Sequence, residues 1–399
     1  MKEKLMNLFE DYFKQKIFEI KLLPQSGSYR KYFRIKSKNY SVIGTYNLEK
    51  KENIAFISFS KHFKNKILHV PKIYVEDLEN NIYLQEDFGD ITLFDYIKSI
   101  KNDEKFDNKI LDIYKKVLEQ LPRFQVIGGK NIDYTKCYPR KEFDEQSIMW
   151  DLNYFKYFML KIAKVPFDEQ ELELDFKKLS DFLISADTKY FLYRDFQSRN
   201  IMLKDNIPFF IDYQGGRRGA LHYDLASLLY DAKANISQQI RNQLVEFYIK
   251  ELQKYIDITS EDFYKHYFAY VLIRQLQALG AYGFRGLIEK KLHFIQSIPY
   301  ALKNLKYIIE QNLNVEIPEL KKAILYLINE SEVALKDSFK TAENNKLKVQ
   351  IKSFSYIYGE IPKDESGHGG GYVFDCRILQ NPGREEKYQN LTGKDKEVV

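Results

Sequence analysis

One stretch of the chain, residues 191–214, constrains the fold more than any other. An apolar run, Phe191-Leu192-Tyr193, ends at Arg194-Asp195, and a short polar loop then closes on Asn200. Two further apolar runs, Ile201-Met202-Leu203 and Pro208-Phe209-Phe210-Ile211, lead to a second carboxylate, Asp212. Runs of this length bounded by polar residues read as short strands. Adjacent strands can bring Asp195, Asn200 and Asp212 to one spot. Their carboxylate and amide oxygens are hard ligands of the kind Mg²⁺ takes together with phosphate oxygens. A carboxylate beside such an ion can orient a hydroxyl for phosphoryl transfer.

The flanking pattern divides around this stretch. Before it, apolar positions at helical spacing over 3–20 precede a turn at Pro24-Gln25-Ser26-Gly27-Ser28. Strand-like runs flank that turn, around Leu22 and over 32–35, and others follow over 41–46, 72–75 and 82–85, with a helix over 52–63 among them. After Glu86-Asp87-Phe88-Gly89-Asp90, helical periodicity dominates, over 104–125, 140–162, 170–187, 222–234, 237–256, 261–279, 289–309 and 317–337. The expected architecture is α+β, with a small strand-rich lobe at 1–88 and a large helical lobe at 89–338. A polar linker at 339–346 then leads to a tail, 347–399, of strand alternation and Gly-rich loop.

The order Asp195, Asn200, Asp212 resembles the catalytic loop and metal-binding strand of the protein-kinase-like fold. The form Arg194-Asp195-Phe196-x-x-x-Asn200, followed by Ile211-Asp212-Tyr213-Gln214, is similar to the aminoglycoside phosphotransferase family. The continuation Tyr223-Asp224-Leu225-Ala226-Ser227-Leu228-Leu229 resembles its branch of anomeric N-acetylmuramate and N-acetylglucosamine kinases. This resemblance implies a bilobal protein-kinase-like fold and an ATP- and Mg²⁺-dependent transfer to a small-molecule hydroxyl, an amino sugar in that branch. It implies Asp195 as catalytic base and Asn200 and Asp212 as metal ligands. Ser26, Gly27, Ser28 and Arg30, with Arg34 beyond, stand where the family covers the phosphates, and Glu86 stands at the adenine hinge. Tyr193 replaces the usual His as a support, and Asp224 is expected to cap its helix and brace the loop. Asp231 is expected to be solvated or structural. Trp150, Asp151, Arg274, Gln275 and Tyr282 could face the acceptor, although Trp and Tyr at helical spacing are more often core. The acceptor contacts stay unassigned. The third strand, 41–46, lacks the Lys that clamps the nucleotide in this fold.

The tail carries a separate resemblance. Val349 to Gly359, Tyr372 to Pro382 and Leu391-Thr392-Gly393-Lys394-Asp395 are similar to the start of the C-terminal domain of RapZ-type RNase adapters, sensors of an amino-sugar phosphate. The family domain continues further, so a partial α/β segment is expected here, loosely ordered or docked on the kinase-like unit. The tail and the missing Lys leave a second reading open: a regulatory protein that senses a nucleotide or sugar phosphate with little or no turnover.

Composition narrows the partners. Lys plus Arg number 62 and Asp plus Glu 56, a net +6 over 399 residues. That excess admits an anionic ligand such as a nucleotide and gives no argument for nucleic acid. No apolar run reaches the ~18–20 residues of a membrane span, and the N-terminus reads as an amphipathic helix rather than a signal peptide. Cys137 and Cys376 are too few for a disulfide framework or a zinc site, and a cytoplasmic setting is expected.

Overall fold

In the computed structural model the described residues are 1–24, 30–100 and 106–334, with 373–374, 385–388, 390 and 395 of the tail. The chain divides into two units, Met1–Asn344 and Asn345–Val399. The linker and most of the tail lie outside the described residues. Within the tail, Glu386–Tyr388 form a short 3₁₀ turn.

The first unit opens with helix α1 (Lys2–Phe13), which stops where Lys14 adopts φ 54° and its N–H closes on the Glu10 carbonyl. The helix expected over 3–20 is therefore shorter. Its last third is instead strand β1 (Ile17–Leu22), the edge of an antiparallel sheet. β2 (Lys31–Ser37) and β3 (Ser41–Tyr46) follow it. Helix α2 (Lys50–Asn65) then precedes β4 (Ile73–Asp77) and β5 (Ile82–Glu86). The spatial order is β1-β2-β3-β5-β4. Leu5 and Phe9 of α1 bury against Phe33, Ile35, Val42, Ile82 and Leu84, so sheet and helix share a small core of their own.

Helix α2 belongs to the other core. Its Phe56, Phe59 and Phe63 join the apolar cluster of the large lobe. Phe56 stacks on Tyr213 at 4.9 Å, Phe63 meets Phe191 edge-on at 5.1 Å, and the Ser60 and Tyr213 hydroxyls are 2.6 Å apart. After β5 the chain turns at Gly89, whose φ of 86° favours glycine. Arg34 of β2 spans that turn, with Nε 2.8 Å from Asp87 Oδ2, Nη1 2.7 Å from Asp90 Oδ1 and Nη2 donating to the Gly89 carbonyl at 3.0 Å.

The large lobe begins with α3 (Leu93–Ile100) and α4 (Phe106–Pro122), which continues as a π-helical turn, Arg123–Gly128. α5 (Glu145–Phe155) is capped by Asp144, which accepts from Ser147 N, and it too runs into a π-helical turn, Lys156–Leu160. α6 (Glu169–Ile184) leads into the strands β6 (Tyr190–Leu192), β7 (Ile201–Lys204), β8 (Ile207–Phe210) and β9 (Arg217–Gly219). α7 (His222–Leu229), α8 (Gln238–Leu252) and α9 (Ser260–Tyr282) follow. The helix expected over 289–309 is broken at Ser297 into α10 (Leu292–Ile295) and α11 (Ile298–Ile309), and α12 (Pro318–Ala334) closes the unit. Among the described residues no helix is long and apolar enough to cross a membrane.

Candidate active site

The site is built on two small antiparallel pairs. β6 pairs with β9, placing Leu192 opposite Arg217, and β7 pairs with β8 through a tight turn at Asp205-Asn206 with φ 53° and 58°. Between β6 and β7 the chain makes the loop that carries Asp195. Arg194 is held at φ 80° and Asp212, just beyond β8, at φ 70°. Left-handed backbone at non-glycine residues costs on the order of 1–3 kcal/mol each and persists only where surroundings enforce it.

Those surroundings are identifiable. Asp224, on the first turn of α7 and fully buried, accepts from Tyr193 N at 2.8 Å, Arg194 N at 3.0 Å and Gln125 Nε2 at 3.2 Å. Burial still pushes its carboxyl up, to about 7, against those donors. The expected helix cap is a correction. α7 starts at His222 and takes no side-chain cap, so Asp224 braces the loop and not its own helix. Tyr193 is also buried, and its hydroxyl donates to the Ile211 carbonyl at 2.6 Å, tying the loop to the residue before Asp212. Ser198 Oγ donates to Asp231 Oδ2 at 2.5 Å, which fixes the far end of the loop and gives Asp231 a structural contact.

Asp195, Asn200 and Asp212 meet in one network. Asn200 Nδ2 donates to the Asp195 carbonyl at 2.9 Å and to Asp212 Oδ2 at 3.1 Å. Gln214 Nε2 donates to Asp212 Oδ1 at 2.7 Å. Burial first, and then the Asp212 charge, push the Asp195 carboxyl above the ordinary aspartate range. Among the described residues no group of three or more His, Cys, Asp or Glu could cage a metal. Asp212 and the Asn200 amide oxygen nevertheless fit Mg²⁺, which takes few carboxylates and completes its shell with phosphate oxygens and water.

A matching family profile settles the ancestry: the phosphotransferase enzyme family, APH, matches residues 19–258. The chain belongs to the APH phosphotransferase family. A second profile, the RapZ C-terminal domain, matches residues 347–399. The N-acetylmuramate/N-acetylglucosamine kinase of Pseudomonas aeruginosa is 27% identical over 218 residues, 53% of this chain and 60% of that one. The chain thus spans about 60% of the length of that relative. The kinase of the same name from Neisseria meningitidis is 21% identical over 345 residues, 83% of this chain and 97% of its own. Among solved structures, choline kinase from Cryptosporidium parvum superposes with TM-score 0.56 at 13% identity, covering 82% of this chain and all of the other. The bilobal α+β fold is that of the kinase-like proteins.

In this APH chain Arg30, expected over the phosphates, is tied to a carboxylate of α2. Arg30, only 3% exposed and just before β2, places Nη2 2.8 Å from Glu52 Oε2 on α2, and its Nη1 lies 3.7 Å from Asp212 Oδ1. Despite burial, the neighbouring Tyr32, Tyr83 and Asp212 raise its guanidinium further. Asn47 Nδ2 also donates to Glu52 Oε2, at 3.0 Å. The sequence showed no clamp Lys and no Glu partner. Glu52 was legible only as a helix residue, and its place on the helix after the third strand is the signal that marks it.

The remaining expectations divide. Ser26, Gly27 and Ser28 lie outside the described residues. Arg34 is spent on the inter-lobe turn rather than left for phosphates. The Glu86 carboxylate accepts from Lys64 Nζ at 3.3 Å and Lys72 N at 3.1 Å, so that side chain holds β5 in place and does not line the cavity beside Asp195. That cavity, about 180 Å³, is bordered by Glu52, Tyr138, Arg194, Asp195, Gln214 and Arg217. Asp151 pairs with Arg194 through both oxygens, at 2.9 and 2.8 Å. Trp150 is an exposed ring under Arg140, and Gln275 is core, donating to the Tyr230 carbonyl. Arg274 Nε donates to Ser227 Oγ at 3.0 Å, and its charge reaches Asp195. Cys137 is a free, partly buried thiol that burial pushes up to about 12.

Proposed function

We propose that this chain transfers the terminal phosphoryl group of ATP, with Mg²⁺, to a hydroxyl of an amino sugar of the N-acetylmuramate/N-acetylglucosamine type. The observation that carries the reading is the single hydrogen-bonded network of Asp195, Asn200 and Asp212 beside the Arg30–Glu52 pair. The sugar class rests on the two relatives named as N-acetylmuramate/N-acetylglucosamine kinases.

Asp195 orients the acceptor hydroxyl and takes its proton as the new O–P bond forms and the bond to the ADP oxygen breaks. A carboxylate raised by burial and by a neighbouring charge is a better proton acceptor than one in water. Asn200 and Asp212 would hold Mg²⁺, which when bound neutralises charge on the phosphate oxygens. Arg30, kept in place by Glu52, adds a fixed cation on the same side and stands in for the absent Lys. This removes one ground for the alternative, a sensor without turnover. The other ground, the tail, concerns residues 347–399 alone. ADP release measured over a panel of amino sugars, aminoglycosides and choline tests the reading. The expected result is release with the amino sugars. Release with choline alone, or with none of the panel, sinks it.

A further inference from the structure

Arg194, partly buried, and Arg217, buried, border the cavity beside Asp195, and they are treated differently. Arg194 is neutralised: both of its terminal nitrogens bond to Asp151. Arg217, 6% exposed, has its Nε donating to the Gly215 carbonyl at 3.1 Å, and among the described residues no carboxylate lies within ion-pair distance of it. The alternation of β9 turns Arg218 outward to Glu142 and Arg217 inward to the cavity. Among the largest influences on Arg217 are the charges of two carboxylates, Asp151, already claimed, and Asp195. Burial and the nearby Arg194 lower the guanidinium to about 10, so it remains protonated near neutral pH. A buried, charged and unpaired guanidinium is costly unless an anion completes it.

The place of the cavity says which anion. Asn200 and Asp212 do not line it, whereas Asp195 does. A group seated there meets the proton acceptor and not the metal ligands. At about 180 Å³ it is smaller than the ~300–1,000 Å³ of whole-ligand pockets and takes one substituent of a sugar. We infer that Arg217 is a specificity residue that binds a carboxylate carried by the acceptor, so that acidic amino sugars are preferred over neutral ones. Guanidinium and carboxylate match as a two-bond fork, and a site built for that fork rejects an analogue lacking it. This rests on the amino-sugar reading above.

The test uses the full chain and two sugars that differ by a lactyl ether with its carboxylate, N-acetylmuramate and N-acetylglucosamine. Equilibrium binding by calorimetry should favour the acid by about tenfold or more, the scale of one charge-assisted pair. In Arg217→Gln the ratio of the two affinities should fall to about twofold or less, while Arg217→Lys, a point charge, should keep an intermediate ratio. Equal affinities in the unaltered chain overturn the inference, and so does a preference that survives in Arg217→Gln. A larger loss of MgATP binding than of acid binding in Arg217→Gln also overturns it, by assigning the guanidinium to the nucleotide's phosphate. Binding of the acid without ADP release sinks phosphoryl transfer and supports the Arg217 assignment. Binding of neither sugar removes the amino-sugar reading and this inference together.

Discussion

The two sides of the site are fastened by different means. On the large-lobe side, the loop bearing Asp195 hangs from a buried carboxylate, Asp224, that holds two consecutive backbone N–H groups. On the small-lobe side, Arg30 is held by a carboxylate whose side chain is 36% exposed. Buried bonds to backbone are little screened, whereas an ion pair with one partly exposed member is weakened more by salt. The Asp195 loop is therefore tied by buried backbone bonds, and the Arg30–Glu52 pair is the more open to salt. The same contrast separates Arg194 from Arg217, neighbours on one cavity wall of which one is locked and one is open.

Five experiments break or sharpen this comparison. The largest effect is expected for Asp195→Asn, which should lower kcat by ~10²–10⁴, the range for a lost general base, while MgATP binding survives. An unchanged turnover would remove Asp195 from the mechanism. In the unaltered enzyme the acid limb of kcat/KM should lie above the ordinary carboxylate range, as the burial of Asp195 dictates. Next, Asp224→Ala leaves two or more buried N–H groups without an acceptor and should cost about 3 kcal/mol of stability, read by urea unfolding. Unchanged stability together with unchanged activity would show that the loop does not depend on this brace.

Arg30→Met should raise KM for ATP by ~10–100-fold, the equivalent of one charge-assisted bond, with Arg30→Lys in between. Glu52→Gln should act in the same direction and more weakly, and a rise in salt should mimic it; insensitivity to both changes would mean that the pair is only structural. The smallest effect concerns the foundation of α7. His222 is buried between Phe263 and Tyr270, and burial, then His266, lowers its imidazole to about 3. The unfolded chain takes up that proton below about 6.5, so folding stability should fall as pH drops from 6.5 towards 3. By pH 5 the loss is about 2 kcal/mol, and His222→Phe should flatten it in unfolding curves at pH 7 and pH 5. A parallel pH dependence in the variant would put the effect elsewhere.

What could be read from the sequence follows the same division. Asp195, Asn200 and Asp212 lie within one short stretch, beside the ends of β6, β7 and β8, so local pairing brings their backbone close, and Asp224 and Tyr193 fix the loop between them. The Arg30–Glu52 pair joins the residue before β2 to α2, more than twenty residues apart, and α2 itself packs Phe56, Phe59 and Phe63 into the large-lobe core. The first helix was overextended because Ile17 continues the helical spacing of Leu5 to Phe13, while the left-handed Lys14 that ends it leaves no mark in apolar periodicity. The π-helical turns after α4, α5 and α9 are equally silent, since one extra residue per turn hardly changes the pattern. Asp151 was visible as a residue of the acceptor side. That it serves Arg194 and leaves Arg217 open required the geometry.

The clasp of Arg34 across the turn at Gly89 has a mechanical meaning. The sheet and α1 carry their own small core, and Tyr83 of β5 stacks on Phe56 of α2, which ties the sheet to the larger core as well. Gly89 by itself would make their connection a universal joint. Three contacts from one guanidinium turn it into a detent, and one of those contacts, to an Asp90 that is 78% exposed, is open to water. The connection at Gly89 is thus set by ionic contacts that the surrounding electrolyte screens, beside an apolar seam that it does not.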